Sequence, residues 1–169
     1  MKRQGICILT VLLLSLGMVP GALAKGKTPP GCSTETFIPE TEAVFPLEQW
    51  SVSSAYGIRE DPFTGQEDFH WGIDFAAPPG CRIYAVGEGI VASAGYDSEY
   101  GNYVRVHLGG GVETLYGHLQ FVYVRAGQWV AAGQPLGTVG QTGKATGPHL
   151  HLELIYNRIR RDPAPWLKV

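Results

Sequence analysis

Residues 147–154 read Gly147-Pro148-His149-Leu150-His151-Leu152-Glu153-Leu154, and their strict alternation decides the fold. Successive side chains of an extended strand point to opposite faces, so three leucines fall on one side and His149, His151 and Glu153 on the other. The rise per residue sets the two imidazoles about 7 Å apart. An apolar row thus fixes a polar one. Taken alone, the pair reads equally well as two half-buried strand histidines bonded to backbone.

Working outward, the same short-period pattern recurs about every ten residues. Apolar or alternating runs occupy 71–75, 83–86, 89–94, 103–108, 112–118, 134–139 and 150–155, separated by Gly and Pro. No stretch keeps helical apolar spacing over three turns. With 23 glycines and 12 prolines in the chain, this predicts an all-β domain of many short strands. Gly109-Gly110-Gly111 between two such runs signals a hairpin turn. It is not a phosphate loop, because no Gly-Lys-Ser/Thr follows, and Gly143-Lys144-Ala145 fails the same test. The Gly-bounded segments 86–91 and 132–137 echo each other as in lipoyl-type carrier domains. Neither holds the lysine such a carrier needs.

At the N-terminus Lys2 and Arg3 precede an apolar run over 6–19, a Pro20-Gly21 break and Ala22-Leu23-Ala24. That order predicts a secretory signal over 1–24. The run falls short of the roughly 20 apolar residues that span a bilayer, so cleavage leaving no membrane span is expected, with an uncleaved N-terminal anchor as the alternative. Removing Lys2 and Arg3 moves the net charge from -2 to about -4, the opposite of a nucleic-acid binder's basic patch. Residues 25–45, rich in Pro, Thr, Glu and Lys without periodicity, read as a spacer, and 46–169 as one domain. Cys32 and Cys81 survive processing. In an oxidising compartment a disulfide tying the N-terminal arm to the domain is expected, with two separate thiols as the alternative.

Four of the five histidines fall in three clusters. In Phe69-His70-Trp71-Gly72-Ile73-Asp74-Phe75 the odd positions are expected to face a core. His70 and Asp74 then point into a groove, and Gly72 leaves room between them. In Leu115-Tyr116-Gly117-His118-Leu119, Tyr116 and His118 are expected on one face. His107 reads as an ordinary strand residue. Imidazole and carboxylate are zinc ligands, and a His-Asp-His set leaves a fourth position open, as catalytic zinc sites do.

The segments FHWGIDFAAPPG (69–80), LYGHL (115–119) and TGPHLHLEL (146–154) resemble the three signatures of the lysostaphin- and LytM-type zinc endopeptidases, which cleave peptidoglycan cross-links. The flanking Ser53-Ser54-Ala55-Tyr56-Gly57-Ile58-Arg59 and Val139-Gly140-Gln141-Thr142-Gly143 agree, so the resemblance covers about 46–167. It implies a compact antiparallel β-sheet domain with a groove, of the duplicated hybrid motif kind, acting as a monomer on peptidoglycan peptide in the cell envelope or periplasm. It makes His70, Asp74 and His151 ligands of Zn²⁺ and His118 and His149 the catalytic histidines. Glu153 and Tyr116 are expected as outer partners of that set. The competing reading is a non-catalytic wall-binding or regulatory relative that has lost ligands. Every expected ligand and catalytic position is filled here.

Overall fold

The computed structural model describes residues 27–169. The predicted signal segment 1–24 lies outside them. No helix among the described residues is long and apolar enough to cross a membrane.

The all-β expectation holds. One ten-stranded sheet carries the fold, and a two-stranded ribbon sits beside it. Along the main path run β1 (Ser51–Ser54), β4 (Ile73–Ala76), β11 (His149–Tyr156), β8 (Val112–Val122), β7 (Gly101–Gly109), β6 (Gly89–Asp97) and β9 (Trp129–Val130), in that order. Off that path, β10 (Pro135–Val139) joins β5 (Arg82–Tyr84) to β8, and β12 (Ile159–Arg161) pairs β11. The ribbon is β2 (Gly57–Glu60) with β3 (Glu67–His70). One helical turn, α1 (Ala164–Leu167), closes the chain.

The alternation within β11 explains its central place. Leu150, Leu152 and Leu154 are wholly or almost wholly buried in one core with Phe75, Ile83, Val104, Leu136 and Tyr116. The opposite face holds His149, His151 and Glu153. β4 and β8 flank it, and the register sets His151 against Asp74 on one side and Gly117 on the other. Gly109, Gly110 and Gly111 all adopt positive φ in the β7–β8 hairpin, as the turn requires.

Three expectations change. The run 71–75 is not one strand: β3 ends at His70, and β4 begins at Ile73 in the other sheet. The break at Trp71-Gly72 turns Trp71 out to 44% exposure, where its ring lies 4.4 Å from the Arg160 guanidinium carbon. Only Ile73 and Phe75 enter the core. Next, the segment read as a spacer is laid along the domain. Ser33 pairs with Arg160, Phe37 stacks on Tyr156 at 4.1 Å, and Val44 donates to the Val86 carbonyl. Its aromatic side chains supply the apolar contact that composition alone concealed. Finally, Cys32 and Cys81 are free thiols, not a disulfide. They belong to different ladders: Cys32 bridges to Arg160 beside β12, whereas Cys81 accepts from the Val139 amide beside β5 and β10.

Candidate metal centre

Asp74, on the second residue of β4, is the hub. Its Oδ1 lies 2.7 Å from His151 Nδ1 and 3.1 Å from His70 Nε2, and those two nitrogens are 3.1 Å apart. All three residues are buried. A tetrahedral ion with ligand bonds of about 2.0–2.1 Å sets its ligand atoms about 3.3 Å apart. The three atoms are therefore spaced for one small cation.

The outer atom of each of the three side chains is tied down. His70 Nδ1 donates to the Ala55 carbonyl at 2.8 Å. A carbonyl only accepts, so Nε2 is the lone-pair nitrogen of the neutral ring. Facing it, Asp74 Oδ1 is another acceptor. Two acceptors 3.1 Å apart are repulsive unless a cation lies against both, so the donor set fits a divalent metal. Asp74 Oδ2 takes Arg59 Nη1 at 3.3 Å, and that nitrogen also donates to Ser54 Oγ at 2.6 Å. His151 Nε2 meets Glu153 Oε1 at 3.4 Å. Glu153 is completely buried, and its charge is matched by Arg160 Nε at 2.8 Å and the Tyr100 hydroxyl at 2.6 Å. Outer partners of this kind orient metal ligands.

His118 and His149 stand beside the convergent trio. Their ring centroids are 4.6 Å apart. His118 Nδ1 donates to the Thr142 carbonyl and His149 Nδ1 to the Gly147 carbonyl, each at 2.8 Å. In both rings Nε2 is therefore the basic nitrogen. The His149 Nε2 comes to 3.7 Å from Asp74 Oδ1.

The position of His118 corrects a further expectation. Between the pairs Asn102↔Leu119 and Val104↔Tyr116, Gly117 and His118 oppose the single residue Tyr103. This is a bulge, and His118 takes a left-handed φ of 64° within it. The bulge breaks the alternation, so Tyr116 and His118 do not share a face. Tyr116 is fully buried in the core, where its oxygen accepts from the Val86 amide at 2.9 Å and meets the Thr114 hydroxyl at 3.2 Å. It is not an outer partner of the site. His118, by contrast, lines the cleft.

Charge is concentrated here. Burial pushes the Asp74 carboxyl up, but the hydrogen bond from His151 and the positive charge of that ring outweigh it and hold the group well below the usual range. Burial disfavours a charged His151, yet Asp74 and Glu153 on either side raise it to about 9. For His118, burial and then the neighbouring His149 lower the value to about 4, which keeps the ring neutral. His70 is likewise lowered, first by burial.

Above these groups opens a cleft of about 610 Å³. The stretches 59–68 and 97–102 both contribute to its walls. Sequence reasoning missed Ser54, Arg59, Tyr100 and Arg160. For Arg160 a signal existed. A turn at Asn157-Arg158 pairs Ile155 with Arg160, which puts Arg160 on the strand face that Glu153 shares.

Comparison with known proteins agrees with this geometry. The family model described as peptidase family M23 matches residues 68–163. The peptidoglycan DD-endopeptidase ShyC of Vibrio cholerae is 43% identical over 119 residues, 70% of this chain and 28% of that protein. The DD-carboxypeptidase/endopeptidase Mpg of Neisseria gonorrhoeae is 41% identical over 66% of this chain and 26% of its own length. The chain thus spans little more than a quarter of either relative. Among solved structures, a zinc-containing peptidase from Vibrio cholerae superposes with a TM-score of 0.67 at 33% identity, covering 74% of this chain and 39% of that one. The catalytic domain of lysostaphin from Staphylococcus simulans gives 0.65 at 31% identity, covering 71% and 93%.

Proposed function

The chain belongs to peptidase family M23, and from that premise we propose that it is a zinc-dependent endopeptidase hydrolysing peptide bonds of bacterial peptidoglycan. The observation that carries this reading is the convergence of His70 Nε2, Asp74 Oδ1 and His151 Nδ1, each with its outer atom anchored. These three residues hold the zinc. Bound there, the ion supplies Lewis-acid chemistry, lowering the pKa of a water toward about 7 and polarising the scissile carbonyl.

The chain's own groups do the rest. His118 and His149 present basic Nε2 atoms beside the ligand cluster, within one cleft. They take the proton of the attacking water and return it to the leaving amine. The Thr142 and Gly147 carbonyls hold the two rings in the tautomer this requires. Arg59 and Glu153 keep Asp74 and His151 aimed inward. An open groove beside a sheet suits an extended, flexible peptide such as the stems and bridges of the wall. The residues 1–24, read as a signal peptide, would deliver the domain to the cell envelope.

Metal analysis and wall digestion test the reading together. The wild-type domain should hold about one zinc per chain, and alanine at His70, Asp74 or His151 should remove it. Alanine at His118 or His149 should keep the zinc and reduce peptidoglycan cleavage by about 10² or more, the usual worth of general acid–base groups. Unchanged metal content in the first set would reject the ligand assignment, and undiminished cleavage in the second would reject the catalytic roles.

A further inference from the structure

The cleft has two walls, and one side-chain contact joins them. One wall is the β2–β3 ribbon, whose tip turns on Asp61. That carboxylate is buried, and its Oδ1 accepts from the Phe63 and Thr64 amides at 2.8 and 2.9 Å. The opposite wall is the loop before His149, fixed by the Lys144 amide donating to the Glu99 carbonyl at 3.0 Å. From this wall the Lys144 side chain reaches across to the other. Its Nζ lies 3.2 Å from Asp61 Oδ2 and 5.2 Å from the centre of the Phe63 ring. All three residues line the same cleft as the histidines.

Resting on the endopeptidase reading above, we propose that Lys144 is a specificity-determining residue: its contact with Asp61 and Phe63 latches the cleft and restricts how bulky a cross-linked substrate can enter. The polar contacts of Lys144 run to Asp61, Phe63 and Glu99, and none to His70, Asp74 or His151. It sets the distance between the walls rather than the chemistry on the floor. The pair is well formed but half exposed, so its strength is that of a surface ion pair with a cation–π contact. Such a latch opens often enough to admit small peptides freely, whereas a substrate tethered in a bulky network needs both walls parted at once. The charged partner of Lys144 is carried by the hairpin that ends in His70, and Lys144 itself lies five residues before His149. Opening therefore moves the rims of the groove while the strands below stay paired.

The experiment compares one bond chemistry in two sizes. Zinc-loaded wild type, Lys144→Met and Lys144→Arg are assayed on intact cross-linked sacculi and on the soluble muropeptides released from them by a glycan-cleaving enzyme. Lys144→Met should raise the ratio of activity on sacculi to activity on muropeptides about three- to ten-fold, chiefly through KM. Lys144→Arg should restore the wild-type ratio. High salt should narrow the gap, since exposed charges are screened. In parallel, hydrogen exchange at the Phe63, Thr64 and Lys144 amides should speed up together in Lys144→Met. An unchanged ratio in active enzyme, or unchanged exchange in either wall, overturns the latch. Wild type that cleaves neither substrate overturns the endopeptidase reading and the substrate selection with it. The exchange result still decides by itself whether Lys144 joins the walls.

Discussion

At the scale of single residues, a proton and a metal compete for the same place. His151 sits between Asp74 and Glu153, and without a metal their charges hold a proton on the ring up to a pH of about 9. Its folded value thus lies above the ordinary 6.5, and the stability this proton supplies is fully present below 6.5 and lost as the pH rises through 9. A zinc ion bound at Nδ1 must displace that proton. Zinc uptake at pH 7 should release about one proton, and the apparent affinity should rise about tenfold per pH unit between 6 and 8. Calorimetry in buffers of different ionisation enthalpy would check this; proton-free binding would show that His151 does not coordinate through Nδ1. The Glu153–Arg160 pair makes a second prediction at this scale. Glu153 is wholly buried; burial disfavours its charge, but His151 first, and then Arg160 and Tyr100, keep it anionic. Arg160→Met should weaken zinc binding about 10- to 100-fold, the usual cost of losing an outer partner, while Arg160→Lys recovers part of it. Equal affinity in all three proteins would leave Arg160 with a packing role only.

At the scale of elements, two local irregularities build the site. The Gly117–His118 bulge rotates His118 away from the core face that Tyr116 occupies. The Trp71-Gly72 break hands the chain from the ribbon to the main sheet between two ligands. Gly72 is required by close approach. A Cβ there would collide with the Leu152 carbonyl oxygen and come within 2.9 Å of His151 Cε1. Gly72→Ala should therefore push β4 from β11, costing about 1–3 kcal/mol and reducing zinc occupancy. A melting temperature and metal content equal to wild type would show that the strands can yield. These irregularities also mark where sequence reading stopped. The period-two pattern placed six of the seven runs on strands and the seventh, 71–75, only from Ile73 onward, and the alternation of 149–154 correctly divided leucines from histidines. Alternation carried through Trp71 and Gly117 misled, since a break or bulge inserts a residue that the pattern does not count. Arg59 and Tyr100 escaped notice because their roles depend on pairing between segments distant in the chain. Glu153 was legible, since its partner His151 shares its own strand face.

At the scale of the molecule, the N-terminal arm makes the domain larger than its motifs. Ser33 pairs with Arg160, the residue that balances Glu153, and the Tyr56 hydroxyl lies 3.0 Å from both the Ser33 and Arg160 carbonyls, its one proton shared between the two acceptors. Further on, Trp166 Nε1 donates to the Thr41 carbonyl at 2.7 Å. Phe45 stacks on Trp50 at 4.3 Å and meets the edge of Phe75 at 5.3 Å. Phe75 neighbours Asp74 and pairs with Leu150 across to β11. The arm therefore buttresses the back of the strands whose front carries the ligands. Truncating a well-packed Phe costs about 3–5 kcal/mol in a full core, and Phe45 is only partly buried, so Phe45→Ala should cost about 2 kcal/mol. Deleting 27–45 should cost more, lowering the melting temperature of the metal-free domain by about 10 °C at the few degrees per kcal/mol expected for this size. Because Ser33 holds the Arg160 backbone, the deletion should also weaken zinc binding, whereas Phe45→Ala should lower stability with less effect on the metal. Differential scanning calorimetry with parallel zinc titration separates the two effects. A truncated chain that melts and binds zinc like the full one would return residues 27–45 to the status of a passive tether.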